Sequence, residues 1–397
     1  MATPKIPVLM YHSVGTPNAK WIWNFLTIPY KIFEDHLRTL QKKGFNTINL
    51  AQLYDYVSVG KTIPPNSIVL TFDDGYLDNW VYAYPLLKKY GFKGTIFVNP
   101  EFVDPTEDYR PNLEDVWAGK VRPEEMTSNG FLSWREMKEM GKDGIMDMQS
   151  HGMTHTWYFT GPEIIDFRHP GDPYVWMNWN RDMNRKHKYL TENQEDLIEL
   201  GAPVYQHEKS LAARRYFPDT SLDKTLIQYV KEDGGKGFFK SESWRTQLFQ
   251  IVEDYTLRNN LRDGYESEKD QLNRYRWELG EARAILEKEL NKKVRFFCWP
   301  GGGYTDISLS ISRNSYVCTT LSSKDFSTKR NVYREDPSRV KRIGVPAITG
   351  SKTDSIKYNN GFYLYLYLKG YQGSHAHKYA RKAIKVFSVL KDQFLSL

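Results

Sequence analysis

Ser67-Ile-Val-Leu-Thr-Phe72, running straight into Asp73-Asp74-Gly75-Tyr76, is the stretch on which the reading of this 397-residue chain turns. Its first six residues form an apolar, β-branched run of strand length. The run ends on two adjacent carboxylates, an unusual finish for a strand that feeds a core. Successive strand residues point to opposite sides. Neighbouring acids therefore converge on one site only where the strand is ending, and Gly75 permits a bend there. An ordinary Asp-Asp-Gly turn with local hydrogen bonds is the plainer reading of the same letters.

Working outward, strands and helices alternate. IPVLMYHSV (6–14) reads as a buried strand, and Phe33, Leu37 and Leu40 mark a helix stopped by Gly44. TINL (47–50) is a short strand, followed by a helix near 52–59. Beyond Tyr76 come a helix near 79–90 ending at Gly91, the strand GTIFVNP (94–100), a helix near 133–140 and the strand GIMDMQSH (144–151). After a long interruption, VRFFCWP (294–300) and SYVCTTL (315–321) resume the rhythm. This pattern predicts an α/β fold: parallel β/α units, about seven of them, in a barrel or partial barrel. No Gly-x-Gly-x-x-Gly turn follows the first strand, which removes the simplest dinucleotide-binding reading. The predicted divisions are a discontinuous barrel, 1–156 with 293–350, a mostly helical insertion, 157–292, and a basic amphipathic C-terminal extension, 351–397. The insertion opens on WYFTGPEIIDFRHPGDPYVWMNWN (157–180), which has little periodicity. Its last helix is clearest, with Leu272, Tyr275, Leu279, Ala282 and Leu286 at three- and four-residue steps.

The net charge of +7 is spread along the chain with no dense Lys/Arg block, which speaks against nucleic acid as a partner. Two cysteines, Cys298 and Cys318, imply no disulfide framework and read as buried thiols. No stretch approaches the roughly 20 apolar residues of a membrane span. The start does not read as a signal peptide. The expected location is the cytoplasm or the inner face of the membrane, or outside the cell if a leader has been removed.

In a parallel barrel, residues at the C-terminal strand ends share one opening. His12, Asp73, Asp74, His151, His155 and the segment Trp299–Tyr304 all fall there. His151-Gly-Met-Thr-His155 spaces two imidazoles four apart, suited to one ion, although Gly152 stands where a zincin carries its glutamate. Two histidines and one carboxylate leave coordination positions open, the composition of a catalytic zinc site. The second carboxylate is then free to act as a base.

At these residues the sequence resembles the polysaccharide deacetylases of the NodB-homology type, carbohydrate esterase family 4. TFDDGY (71–76) and SHGMTH (150–155) carry the likeness, and VLMYHSV (8–14) is similar to members acting on poly-N-acetylglucosamine. The resemblance implies a distorted (β/α)7 barrel and a divalent metal, most often Zn2+. It also implies hydrolysis of N-acetyl groups on an amino-sugar glycan, either a polysaccharide or its lipid-linked precursor. Asp73 is then the general base toward a metal-activated water, with Asp74, His151 and His155 as metal ligands. Two departures stand out. The family's Arg-Pro-Pro-Tyr motif, whose Arg holds the base and whose Tyr lends an oxyanion N–H, is here Cys298-Trp-Pro-Gly-Gly-Gly-Tyr304. Gly301 takes the tyrosine's place, flanked by Trp299 and Tyr304 as substrate contacts, and the base lacks its arginine. The late Leu-His motif that supplies the acid is also missing from VKRIGVPAIT (340–349), so His12 is the substitute acid or a structural histidine.

Trp157, Tyr158, Trp176 and Trp179 read either as sugar-stacking rings or as packing for the insertion. The tail, 359–394, either closes the fold or makes peripheral membrane contact. His375 and His377 fall at a solvated helix start. Two rival functions fit the same residues: a hydrolase of non-sugar amides on this barrel, and a glycan-binding protein without turnover.

Overall fold

The computed structural model describes residues 4–321, 328–346 and 360–395, and side chains as far as Phe387. They form two compact units. The first comprises Met1–Gly152, Ala282–Gly302 and Ser315–Leu397; the second comprises Met153–Glu281 and Gly303–Asn314.

The first unit is built on one all-parallel sheet. Its strands in chain order are β1 (Val8–Tyr11), β2 (Asn46–Thr47), β3 (Ser67–Phe72), β4 (Gly94–Val98), β5 (Met146–Ser150), β6 (Phe296–Phe297), β7 (Cys318–Thr320), β8 (Arg339–Val340) and β9 (Ile343–Gly344). They lie in the order β8-β7-β6-β5-β4-β3-β1-β9, with β2 paired to β3. Every residue of β3 and β4 is buried. Such continuous apolar runs belong to a parallel sheet covered on both faces. Helix α1 (Tyr30–Lys42) covers it through Phe33, His36, Leu37 and Leu40, an i, i+3, i+4, i+7 stripe. Helix α2 (Leu50–Val59) begins at a capping box between Asn49 and Gln52. Helix α3 (Tyr84–Tyr90) follows a π-helical turn over Asn79–Ala83, and α4 (Trp134–Lys142) is capped by Ser133 and Glu136.

The sheet is curled. β8 and β9 stand at opposite ends of its strand order, yet only Lys341 and Arg342 separate them in the chain. One short segment therefore serves both margins, and the margins must lie within the reach of a few residues. The buried Asn331 side chain stitches this seam. Its amide donates to Ile6 O (3.1 Å) and Lys341 O (2.8 Å), and its oxygen accepts from Lys341 N (3.0 Å). The predicted parallel barrel is thus found as a curled sheet. Its two unannounced strands, β8 and β9, are two residues each, too short to show a period. Residues 347–349 of the VKRIGVPAIT segment lie outside the described residues.

Two helices complete the unit. α5 (Gly361–Tyr371) buries Tyr363, Leu364, Leu366 and Leu368. It meets α1 closely: Gly361 N donates to Asp35 Oδ2 at 2.7 Å, and a Cβ on Gly361 would stand 2.2 Å from Thr39 Oγ1. α6 (His375–Leu395) follows a short turn. His377 bonds Ser374 Oγ (2.6 Å) and Tyr365 OH (3.2 Å), so it anchors a helix start.

In the second unit, Trp157–Phe167 is a strand antiparallel to Pro203–Lys209, although the sequence showed no period there. The register shifts between Phe159 and Ile164, around Gly161 and Pro162, which breaks the alternation. Helices Thr220–Glu232 and Trp244–Arg258 enclose Phe167, Leu222, Leu226, Val230 and Leu248. The helix Glu268–Leu290 belongs to the second unit as far as Glu281 and to the first from Ala282; of its predicted stripe Tyr275, Leu279, Ala282 and Leu286 are fully buried and Leu272 is half-buried. Trp176 and Trp179 are buried as well, in contact with the half-buried Trp157, so these rings serve as packing. Lys209 Nζ lies 3.0 Å above the Trp157 ring and Arg215 stacks on Tyr158.

Candidate metal and catalytic centre

The strand ends bring the site together by extending their own ladders. Asp73 N donates to Tyr11 O (3.0 Å), His151 N to Val98 O (2.9 Å) and Cys298 N to Ser150 O (2.9 Å). Asp73, His151 and Cys298 therefore sit one residue past β3, β5 and β6, in a single layer at the C-terminal rim. The chain then turns sharply. Asp74 takes φ 73° and Gly75 φ 71°, so the left-handed region begins at a non-glycine residue. A similar bend follows His151, with Gly152 at φ 82° and His155 at φ 46°. Such conformations cost on the order of 1–3 kcal/mol for residues with a Cβ and persist where surrounding structure over-determines them.

These turns send the two adjacent carboxylates to different partners. Asp73 is gripped by a guanidinium: Arg342 Nη1 donates to Oδ1 at 2.6 Å and Nη2 to Oδ2 at 2.8 Å. Both side chains are buried, at 3% and 9% exposure. Burial alone would push the Asp73 carboxyl up. Arg342, with His151 and His12 behind it, outweighs burial and holds the carboxyl below the ordinary aspartate value. Half-buried His12 stands on the open side, its Nε2 3.8 Å from Asp73 Oδ2. Its backbone carbonyl accepts from Asn79 Nδ2 at 3.1 Å.

Asp74 meets an imidazole instead. Its Oδ1 lies 3.1 Å from His151 Nε2. The other ring nitrogen, Nδ1, is 2.8 Å from Cys298 O, and a carbonyl can only accept, so Nδ1 carries the proton. In the neutral ring Nε2 then presents a lone pair toward a carboxylate. Two acceptors at that distance call for a cation, either a proton or a metal ion. With a proton as the only cation, burial draws the His151 pKa down, but Cys298, Asp74 and Asp73 outweigh it and the value stands well above the ordinary histidine range. A carbonyl behind the second ring nitrogen is also the usual support of a metal-bound histidine. Asn99, at the end of β4, fastens this loop from behind through bonds to His151 O (2.6 Å) and Gly152 O (3.1 Å).

Asp73, His151 and Cys298 form another group with ligand-type atoms close together. It is a poor place for a metal ion, because Arg342 Nη2 lies 2.9 Å from Cys298 Sγ and binds Asp73 as well. A divalent cation there would face the guanidinium. The residues that fit an ion are Asp74 and His151. His155 stands four residues on, where the second unit begins.

Of the remaining candidates, Gly301 is exposed at φ 53°, within the turn Pro300–Gly302. Trp299 is 1% exposed and packs edge-on against Phe297, so its indole offers no face to a ligand. Tyr304 is half-buried and belongs to the second unit. The missing arginine is supplied after all, but from position 342 in the seam and not from the segment after β6. In sequence that residue sits among apolar and basic neighbours. Nothing short of the pairing of β8 with β7 and of β9 with β1 tells it apart from the arginines at 339 and 334. Asn99 carried a fainter signal, as a polar residue ending the apolar run GTIFV.

Residues 60–234 match the family model described as polysaccharide deacetylase. YxkH of Bacillus subtilis (strain 168), which carries a provisional polysaccharide deacetylase name, is 33% identical over 151 residues, 38% of this chain and 43% of that protein. The poly-β-1,6-N-acetyl-D-glucosamine N-deacetylase of Staphylococcus aureus (strain MRSA252) is 26% identical over 198 residues, 47% of this chain and 59% of that one. The chain thus spans about half the length of these relatives. Among solved structures, a de-N-acetylase from Aggregatibacter actinomycetemcomitans superposes with a TM-score of 0.52 at 18% identity, covering 88% of this chain and 98% of the other, which is a likeness of fold. Over residues 60–234 and in these relatives the chain is similar to the polysaccharide deacetylases, and its curled parallel sheet has the fold of the de-N-acetylase structure.

Proposed function

We propose that this chain is a metal-dependent N-deacetylase acting on an N-acetylated amino-sugar glycan of the poly-β-1,6-N-acetylglucosamine type. The carrying observation is the division of labour between two neighbouring carboxylates, Asp73 locked onto Arg342 and Asp74 turned toward His151. The curated relatives that act on poly-β-1,6-N-acetyl-D-glucosamine support the substrate class.

Asp74, His151 and, by its spacing, His155 are assigned as ligands of a divalent ion, most simply zinc. When bound, such an ion polarises an acetamide carbonyl and acidifies water. The chain's own groups do the rest. Asp73 is the base that takes a proton from the attacking water. Two bonds from Arg342 fix its orientation and still leave carboxylate lone pairs free to accept. His12, across from Asp73 Oδ2, holds the proton that the leaving amine requires. Gly301 lies in an exposed left-handed turn without a side chain, and its N–H is the proposed donor to the developing oxyanion.

The test is acetate release from β-1,6-linked N-acetylglucosamine oligomers, run beside a panel of small amides and imides. Release from the oligomers alone supports the proposal. Release only from the non-sugar amides would move the chain to a different substrate class, and metal binding without release from any substrate would make it a glycan binder.

A further inference from the structure

Helix α6 is inside out for a surface helix of a globular unit, which normally turns its apolar stripe to the core. Ala376, Tyr379, Ala380, Ala383, Val386 and Phe387 follow one another at three- and four-residue steps or side by side, and all six are exposed. Tyr379, Val386 and Phe387 stand at 66%, 57% and 71% exposure. The helix rests on α5 by a neighbouring face, where His377 bonds Tyr365 OH and Arg381 lies 5.0 Å over the Tyr367 ring. On the other flank Lys378, Lys382 and Lys385 form an exposed basic stripe. From Gly373 to Lys391 the sequence holds five Lys and Arg and no Asp or Glu.

An outward apolar face beside an unbroken basic stripe suits the boundary of an anionic bilayer, which offers acyl chains to the first and phosphates to the second. A second copy of the same helix would match the apolar face but bring two basic stripes together without an acid between them. No helix of the described residues is long and apolar enough to cross a membrane. We propose that α6 is an interfacial anchor that docks the chain on an anionic lipid surface, with Tyr379, Val386 and Phe387 in the headgroup–acyl boundary and Lys378, Lys382 and Lys385 against lipid phosphates.

Vesicle co-sedimentation of the full chain tests this. Phosphatidylcholine vesicles containing phosphatidylglycerol should bind the protein, pure phosphatidylcholine should bind it far less, and added salt should weaken binding. Val386→Ser/Phe387→Ser should release the protein from vesicles while its melting temperature stays that of the parent, since both side chains are exposed. Lys378→Glu/Lys382→Glu/Lys385→Glu should lower partitioning on the order of a hundredfold. Absence of binding by the parent chain overturns the proposal. So does a double serine variant that binds as the parent does. A parent dimer in sedimentation velocity that the serine variant converts to monomer, with vesicle binding unchanged, would assign the face to a second copy instead.

Discussion

Asp73 and Asp74 are chemically identical neighbours made different by what surrounds them. A guanidinium holds one below the ordinary aspartate value and fixes its orientation, and the other shares its space with an imidazole lone pair. Asp73→Asn keeps the shape and removes the basicity; turnover should fall by about 10²–10⁴-fold. Metal content by atomic absorption should match the parent, and an active variant would refute the base assignment. Arg342→Gln leaves Asp73 buried without its main counter-charge, and removing one partner of a buried pair costs about 3–5 kcal/mol. That loss should show in urea denaturation. Because Arg342 is what depresses the Asp73 pKa against burial, its removal lets the value rise, so the acid limb of the kcat/KM profile should move to higher pH. A limb that stays in place would mean Asp73 is not the titrating base. The carboxylate pair and the two histidines were legible because their spacing and strand-end position are local. Arg342 was not, because its role exists only through a pairing between residues 269 positions apart.

At the scale of elements, the turn after β3 carries a second buried acid with a different fate. Asp78 opens the π-helical turn and accepts a short hydrogen bond from Ser13 Oγ. Burial pushes its carboxyl up to about 7, and bonds from Ser13, Val14 and Asn79 offset that only in part. The unfolded chain loses this proton near pH ~3.9, whereas the folded chain keeps it to about 7. The folded state therefore binds the extra proton between those values, and its stability falls as pH rises through that window. Asp78→Asn should flatten the slope of denaturant stability from about pH 4 to 7; an unchanged slope would show that Asp78 is not its source. The contact between α1 and α5 makes a second prediction. A Cβ at Gly361 would meet Asp35 O at 2.4 Å, a backbone atom that cannot swing away. Gly361→Ala should destabilise the fold by about 1–3 kcal/mol, measured by thermal unfolding. Sequence reading recovered the long elements, whose apolar periods run for several residues. It missed the strand Trp157–Phe167, where register shifts scramble the period, and the two-residue strands of the seam, where there is no period to read.

For the whole molecule, the ion proposed to lie between Asp74 and His151 makes a prediction of its own. Exhaustive chelation should bring deacetylation to background and added zinc should restore it; turnover that survives chelation would remove the ion from the reaction. The global charge of +7 excluded little by itself, but the structure shows where part of it is concentrated, on α6. The seam at Lys341–Arg342 carries a consequence for synthesis. The paired acids are made first, and the arginine that grips one of them comes out of the ribosome hundreds of residues later. Until that late stretch has docked across both margins of the sheet, a growing polypeptide holds every ligand assigned to the ion but only an unbraced base. On the proposed function, a product truncated before Lys341 should bind zinc yet release no acetate.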